Sequence, residues 1–370
     1  APPPKPAPVR GPGKEVRRIR AAAGMRFPAA AQITMNRVLC VLVCPFSSTA
    51  RRGVVLRATP RIFCMDVLEE FRVKIGVVGR ENESVVAVEI DGRWIDFTRA
   101  YRIYELIEHR RLGMPVRDVL ELLQRGLANT AALSPVIAAI RRHAAMDKCA
   151  LPGPLSFGLP YRPGKIIAIG RNYAAHAAET GHDVPKEPIF FSKSPTACIG
   201  PEQAIVTRPE YGRVDHEGEL AIVIGSTAKD VAPEAARECI AAYTLLNDVT
   251  AREMQKKDID AGHPWFRSKS LDTFCPFGPY LVLRDALPWP LEVDIECAVN
   301  GEVRQKSNTG RFIFKLPELI SYVSRFITLE PGDVISTGTP EGIGPLQPGD
   351  NVEVRVPEIG VLRNPVWGVR

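Results

Sequence analysis

The chain has 370 residues, 45% of them hydrophobic and 24% charged, which is enough for one large domain or two modest ones with an ordinary globular core. Its formal charge of +6 is concentrated at one end: residues 1–64 hold ten arginines and two lysines against Glu15, leaving residues 65–370 at −5 and removing basicity as an argument for nucleic acid. The longest apolar run, Val38 to Phe46, falls far short of the roughly 20 residues that a membrane-crossing helix needs, so no membrane protein is indicated.

Residues 1–64 read unlike the rest. A proline-rich opening, Ala1 to Pro8, leads into the basic stretch Lys14 to Arg20, and Met65 is followed at once by foldable sequence. The segment reads as an over-extended start, a disordered tail or an arginine-rich organelle-targeting leader, and it is set aside for fold reasoning. The eight cysteines show no Cys-X-X-Cys or zinc spacing and fit a reducing compartment, here taken as the cytoplasm.

From Phe71 the pattern turns to period two, with Asp91-Gly92 as a hairpin turn. Helical spacing follows over 99–112, 116–125 and 131–146. Residues 65–150 are thus expected to form a small α+β domain, and the prolines at 152, 154, 160 and 163 mark 151–164 as a linker. A second unit, 165–370, begins with the buried strand Ile166–Gly170. It runs into a helical segment where His176 and Glu179 share a face, stopped by Gly181. A carboxylate one turn away can fix an imidazole's tautomer and raise its basicity, as a general base requires, although a lone histidine is more often structural. Pro188–Phe191 then delivers Lys193.

The run Asp215-His216-Glu217-Gly218-Glu219 flows into the aliphatic strand Leu220–Ile224, placing Glu217 and Glu219 on the same side of its mouth. Asp248 follows a second apolar strand and closes the set if the two strands are neighbours. Three carboxylates with no cysteine or histidine pattern suit a hard divalent ion, Mg2+ or Mn2+. The competing readings are a solvated Glu-X-Glu pair and, for Asp248, the cap of a helix over 249–255. Residues 256–264 read as a loop, ahead of Trp265 and Lys269. The remainder is strand-rich, with one helix at 316–326 and two glycine- and proline-containing turns, 337–344 and 347–350. Neither turn matches a nucleotide-binding pattern.

Four motifs in order, Gly170-Arg171-Asn172-Tyr173-Ala174-Ala175-His176, Asp215 to Leu220, Leu246 to Arg252 and Thr337-Gly338-Thr339-Pro340-Glu341-Gly342, resemble the fumarylacetoacetate hydrolase family. The resemblance spans about 165–366 and is specific for the family more than for one reaction. It implies a mainly β catalytic domain with some helix, a mixed β-roll or barrel, usually in a homodimer. It implies that Glu217, Glu219 and Asp248 hold Mg2+ or Mn2+, that His176 and Glu179 form a lid dyad, and that Lys193, Lys269 and Thr339 contact substrate. Arg171, Arg252, Gln255 and Gly338 fall on the substrate side. The activity implied is chemistry on a 2-oxo acid, foremost C–C hydrolysis of an acylpyruvate-like or fumarylpyruvate-like compound. Isomerisation of 2-hydroxyhepta-2,4-diene-1,7-dioate and decarboxylation of oxaloacetate are the alternatives, and a non-catalytic ligand-binding protein is the rival from another class. Small-molecule ligands, with no nucleic acid and no membrane, are the expected partners.

Overall fold

The structure, a computed structural model, describes residues 73–80, 83–109 and 117–369. The expectations for residues 1–64, including Cys40, Cys44 and Cys64, lie outside the described residues. Residues 65–370 form one compact unit that is mainly β, with shorter helices around the sheets.

Its centre is a ten-stranded sheet. From one edge the strands run Arg93–Asp96, Glu83–Ile90, Lys74–Arg80, Cys275–Leu283, Ile240–Asn247, Gly218–Ile224, Val334–Ser336, Ile166–Gly170 and Ile189–Lys193, and the two-residue strand Cys198–Ile199 pairs alongside Cys275. The amino-terminal hairpin joins through Lys74 opposite Val282 and Ile75 opposite Leu281. The 151–164 stretch therefore separates two segments of sequence that share one sheet.

Gly218–Ile224 and Ile240–Asn247 are buried along their whole length, because each face of the central sheet is covered. One apolar cluster packs the face toward a second, five-stranded sheet built from Glu302–Asn308, Asp294–Val299, Asn351–Val356, Gly360–Gly368 and Ile205–Thr207. A second cluster fills the other face with the helices Phe97–Glu108, Val119–Gln124 and Thr130–Arg142. The five described cysteines are all buried and free. Among the described residues no helix is long and apolar enough to cross a membrane.

Two local expectations are corrected. Residues 249–255 do not form a helix opened by Asp248: Thr250–Ala251 is a short strand opposite Val214 and Asp215, and the helix is Arg252–Asp260, with Ala251 before it. Most of the expected 256–264 loop is therefore helical. Polarity together with Gly262 and Pro264 carried the loop reading, yet Asp258 points inward to an ion pair with Arg267, which holds the last turn.

A buried acidic cluster beside a histidine–glutamate pair

Strand register brings the three carboxylates together. Leu246 lies opposite Glu219 and Asn247 opposite Gly218, so Asp248, one residue on, comes level with Glu217. The Asp248 amide donates to the Glu217 carbonyl (2.8 Å) and the Glu217 amide to Asn247 Oδ1 (2.9 Å), which locks this corner. Carboxylate oxygens of Glu217, Glu219 and Asp248 lie within 4.8 Å of one another, and all three residues are buried.

Such a cluster stands only with cations beside it. Lys269, carried by the short helix Phe266–Lys269, donates to Glu217 Oε2 (2.6 Å) and Asp248 Oδ2 (2.5 Å). Lys193, fully buried, donates to Asp248 Oδ1 (2.6 Å) and to the Lys269 carbonyl. Arg252 grips Glu217 and Asp215 together, and its Nη1 reaches Gln255 Oε1 at 2.7 Å. Burial raises the Glu217 pKa, but the charges of Lys269 and Arg252 overcome it and hold the carboxyl well below its usual range. Glu219 goes the other way: burial, and then the charge of Asp248, push it up to about 8. Its hydrogen bonds, from Ser336 Oγ (2.5 Å) and the Gly338 amide (2.8 Å), both fall on Oε2. The donor set is three hard oxygens, and Glu219 Oε1 accepts nothing from the described residues. That set fits a divalent cation such as Mg2+ or Mn2+.

The pocket in front of this cluster is lined by all three carboxylates together with Arg171, His176, Arg252, Gln255, Lys269 and Thr339. His176 Nδ1 faces Glu179 Oε2 at 3.3 Å, and Glu179 Oε1 accepts the Gly342 amide at 3.0 Å. A short helix, Ala174–Glu179, therefore has its histidine–glutamate pair tied to the turn that also carries Thr339. Asn172 braces the entry to that helix: its side chain donates to the carbonyls of Phe314 (3.1 Å) and Thr337 (2.9 Å) and accepts from the Phe314 amide (2.8 Å).

Not every sequence candidate reaches the pocket. Lys193 sits behind Asp248 with no exposed surface, and the Gly338 amide is engaged by Glu219. Thr339 lines the pocket, but its hydroxyl donates to the Gly218 carbonyl (3.0 Å) and accepts from Gln305 Nε2 (2.7 Å), so no proton is left there to grip a carboxylate. Residues to which sequence reasoning gave no role include Gln305, whose amide oxygen also accepts from Gly218 N (3.0 Å), and Ser336 and Asp215. Gln305 lies in an ordinary alternating strand and carries no local signal. Trp265 and Phe191, aromatic neighbours with ring centroids 5.3 Å apart, complete the wall.

Comparison with known proteins decides the family. Residues 165–367 match the model of the fumarylacetoacetate hydrolase carboxy-terminal domain. The chain belongs to the fumarylacetoacetate hydrolase family. It is 41% identical over 259 residues to the mitochondrial oxaloacetate tautomerase FAHD2A of Bos taurus, spanning 68% of this chain and 80% of that protein. It is 34% identical to the solved fumarylacetoacetate hydrolase of Exiguobacterium antarcticum, with a TM-score of 0.66 over 80% of this chain and 100% of that one. The fumarylpyruvate hydrolase of Pseudomonas aeruginosa, solved with Mn2+ and pyruvate, is 33% identical, with a TM-score of 0.54 over 59% of this chain and 94% of that one. The fold class expected from the motifs is the one observed, and the family's members include tautomerases, isomerases and hydrolases.

Proposed function

We propose that this family member is a metal-dependent enzyme that interconverts the keto and enol forms of a 2-oxo acid, with oxaloacetate as the leading candidate substrate. The observation that carries the reading is the buried set Glu217, Glu219 and Asp248 facing the same pocket as His176. The similarity to oxaloacetate tautomerase over 80% of that protein supports the choice of substrate.

Glu217, Glu219 and Asp248 would hold Mg2+ or Mn2+, which supplies Lewis acidity that favours negative charge on an oxygen of the substrate. His176 presents Nε2 to the ligand, because Nδ1 is turned to Glu179. It takes the proton from C3 and delivers it to the C2 oxygen to give the enol, and carries it the opposite way in ketonisation, with Glu179 stabilising the imidazolium in between. Lys269 places an ammonium at the same wall and opposes the charge that builds on the substrate oxygen. Thr339, with its proton engaged elsewhere, accepts from an O–H group. Lys193 contributes by fixing Asp248 and the Lys269 backbone.

A second reading is hydrolysis of a C–C bond in a fumarylpyruvate-like substrate, favoured by the His176/Glu179 pair and by the likeness to fumarylpyruvate hydrolase. There His176 would take its proton from water. The deciding experiment offers oxaloacetate and fumarylpyruvate to the full chain with Mn2+, following enol absorbance and free acids. Accelerated ketonisation without new products supports the tautomerase, and pyruvate plus a free acid supports the hydrolase. Undiminished turnover in both Glu217→Gln and EDTA-treated protein would sink the metal-dependent reading.

A further inference from the structure

Among the described residues, the lysines and arginines around the pocket are paired with carboxylates, with one exception. Lys269 is held by Glu217 and Asp248, Lys193 by Asp248, and Arg252 by Asp215 and Glu217. Arg171 lines the same pocket and makes no hydrogen bond or ion pair with any described residue. Its guanidinium lies 5.5 Å from the ring centroid of Trp265, a face contact that leaves its N–H groups without acceptors. Burial lowers its pKa from the ordinary arginine value, with no carboxylate to reverse the effect.

The backbone presents this side chain deliberately. Arg171 has φ 57°, a left-handed conformation that a non-glycine residue adopts only when its surroundings demand it. Gly170 before it has no room for a Cβ, which would lie 2.9 Å from the Trp265 ring. The indole is thus packed on the strand end, and the guanidinium rests against it. A flat, oriented and partly desolvated guanidinium is suited to receive a carboxylate through two parallel N–H bonds.

We propose that Arg171 receives a second carboxylate of the ligand, so that the pocket selects dianionic 2-oxo acids over monoanionic ones. The inference rests on the 2-oxo acid reading above and narrows it. The acidic cluster and its cation serve the 2-oxo acid end, and Arg171 supplies the counter-charge for the other end. Oxaloacetate satisfies this requirement, and an acylpyruvate ending in a methyl group does not.

The test measures affinity, without turnover, on the full Mn2+-loaded chain. Two pairs differ only by a distal carboxylate in place of a methyl group: oxaloacetate against 2-oxobutyrate, and 2-oxoglutarate against 2-oxopentanoate. Competition calorimetry should show the wild type preferring at least one dianion over its partner by tenfold or more. Arg171→Met should remove most of that preference by weakening the dianion alone, and Arg171→Lys should restore part of it. If Arg171→Met does not fold, Arg171→Lys still decides, since an ammonium without the planar fork should lower the preference at least threefold. Equal affinity within both pairs in the wild type, or equal weakening of both members of a pair by substitution, overturns the proposal and leaves the 2-oxo acid reading standing. Failure of all four acids to bind overturns both.

Discussion

At the scale of single residues, the site is governed by which charges are paired in a buried region. Lys193 has no solvent exposure and its ammonium is neutralised by Asp248 at 2.6 Å. Removing one partner of a buried pair leaves the other charge uncompensated, at a cost of about 3–5 kcal/mol. Lys193→Met should therefore lower stability by about that amount in urea unfolding without metal, and added Mn2+ should recover part of the loss by binding the freed carboxylate. His176 is different in kind, since it touches the pocket and its loss leaves no buried charge alone. His176→Ala should reduce kcat by about 10²- to 10⁴-fold, the range for a general base, while Mn2+ affinity by calorimetry stays within about twofold. A His176→Ala protein with unchanged turnover would remove the role given to the pair.

Among the elements, the informative contact is between the Ala174–Glu179 helix and the 337–344 turn. Glu179 uses one oxygen for His176 and the other for the Gly342 amide. Gly342 adopts φ 93°, and a Cβ there would lie 2.1 Å from the Arg304 carbonyl, a backbone atom that cannot swing aside. Gly342→Ala should shift the turn, release Glu179 and lower kcat at least tenfold with a smaller change in KM. The turn is also tied to the strand of the acidic cluster through Gln305, whose amide spans Gly218, Thr339 and the Pro340 carbonyl (2.8 Å). Gln305→Leu would strand these buried groups. We expect it to cost about 1–3 kcal/mol in thermal or urea unfolding and to weaken Mn2+ about 10- to 100-fold, as is usual for partners one step behind metal ligands.

For the whole molecule, the described strands from Lys74 onward belong to a sheet that continues to Lys193, so the amino-terminal hairpin is expected to melt with the catalytic part. Calorimetry should give a single transition for a chain beginning at Met65, because the strand Lys74–Arg80 pairs directly with Cys275–Leu283 in the central sheet. Two separated transitions would argue that the hairpin and its helices fold apart. The homodimer implied by the family resemblance is checked on the same material by sedimentation equilibrium, with a mass of twice the monomer expected.

The sequence alone was sufficient for the family, the fold class and the identity of the acidic cluster, because those rest on local features. Glu217 and Glu219 share a face by strand periodicity, and the aliphatic runs beside them demand burial. The His176/Glu179 spacing is likewise a property of one helical turn. Local reading failed where a distant partner decides the outcome. Asp248 was readable as the third member of the acidic set or as a helix cap, and the choice falls to strand register and to two lysines, 55 and 21 residues away in sequence. The 256–264 stretch looked like a loop because it is polar and holds Gly262 and Pro264, while Arg267, the partner of Asp258, lies beyond it. Gln305 gave no sign at all, since an amide's importance lies in what it bridges. Arg171 could be placed on the substrate side by resemblance, but that it alone among the pocket's described cations lacks a carboxylate follows only from three-dimensional pairing. Periodicity and propensity act over a few residues and can be read along a chain, whereas charge compensation among buried groups is settled by residues that folding brings together.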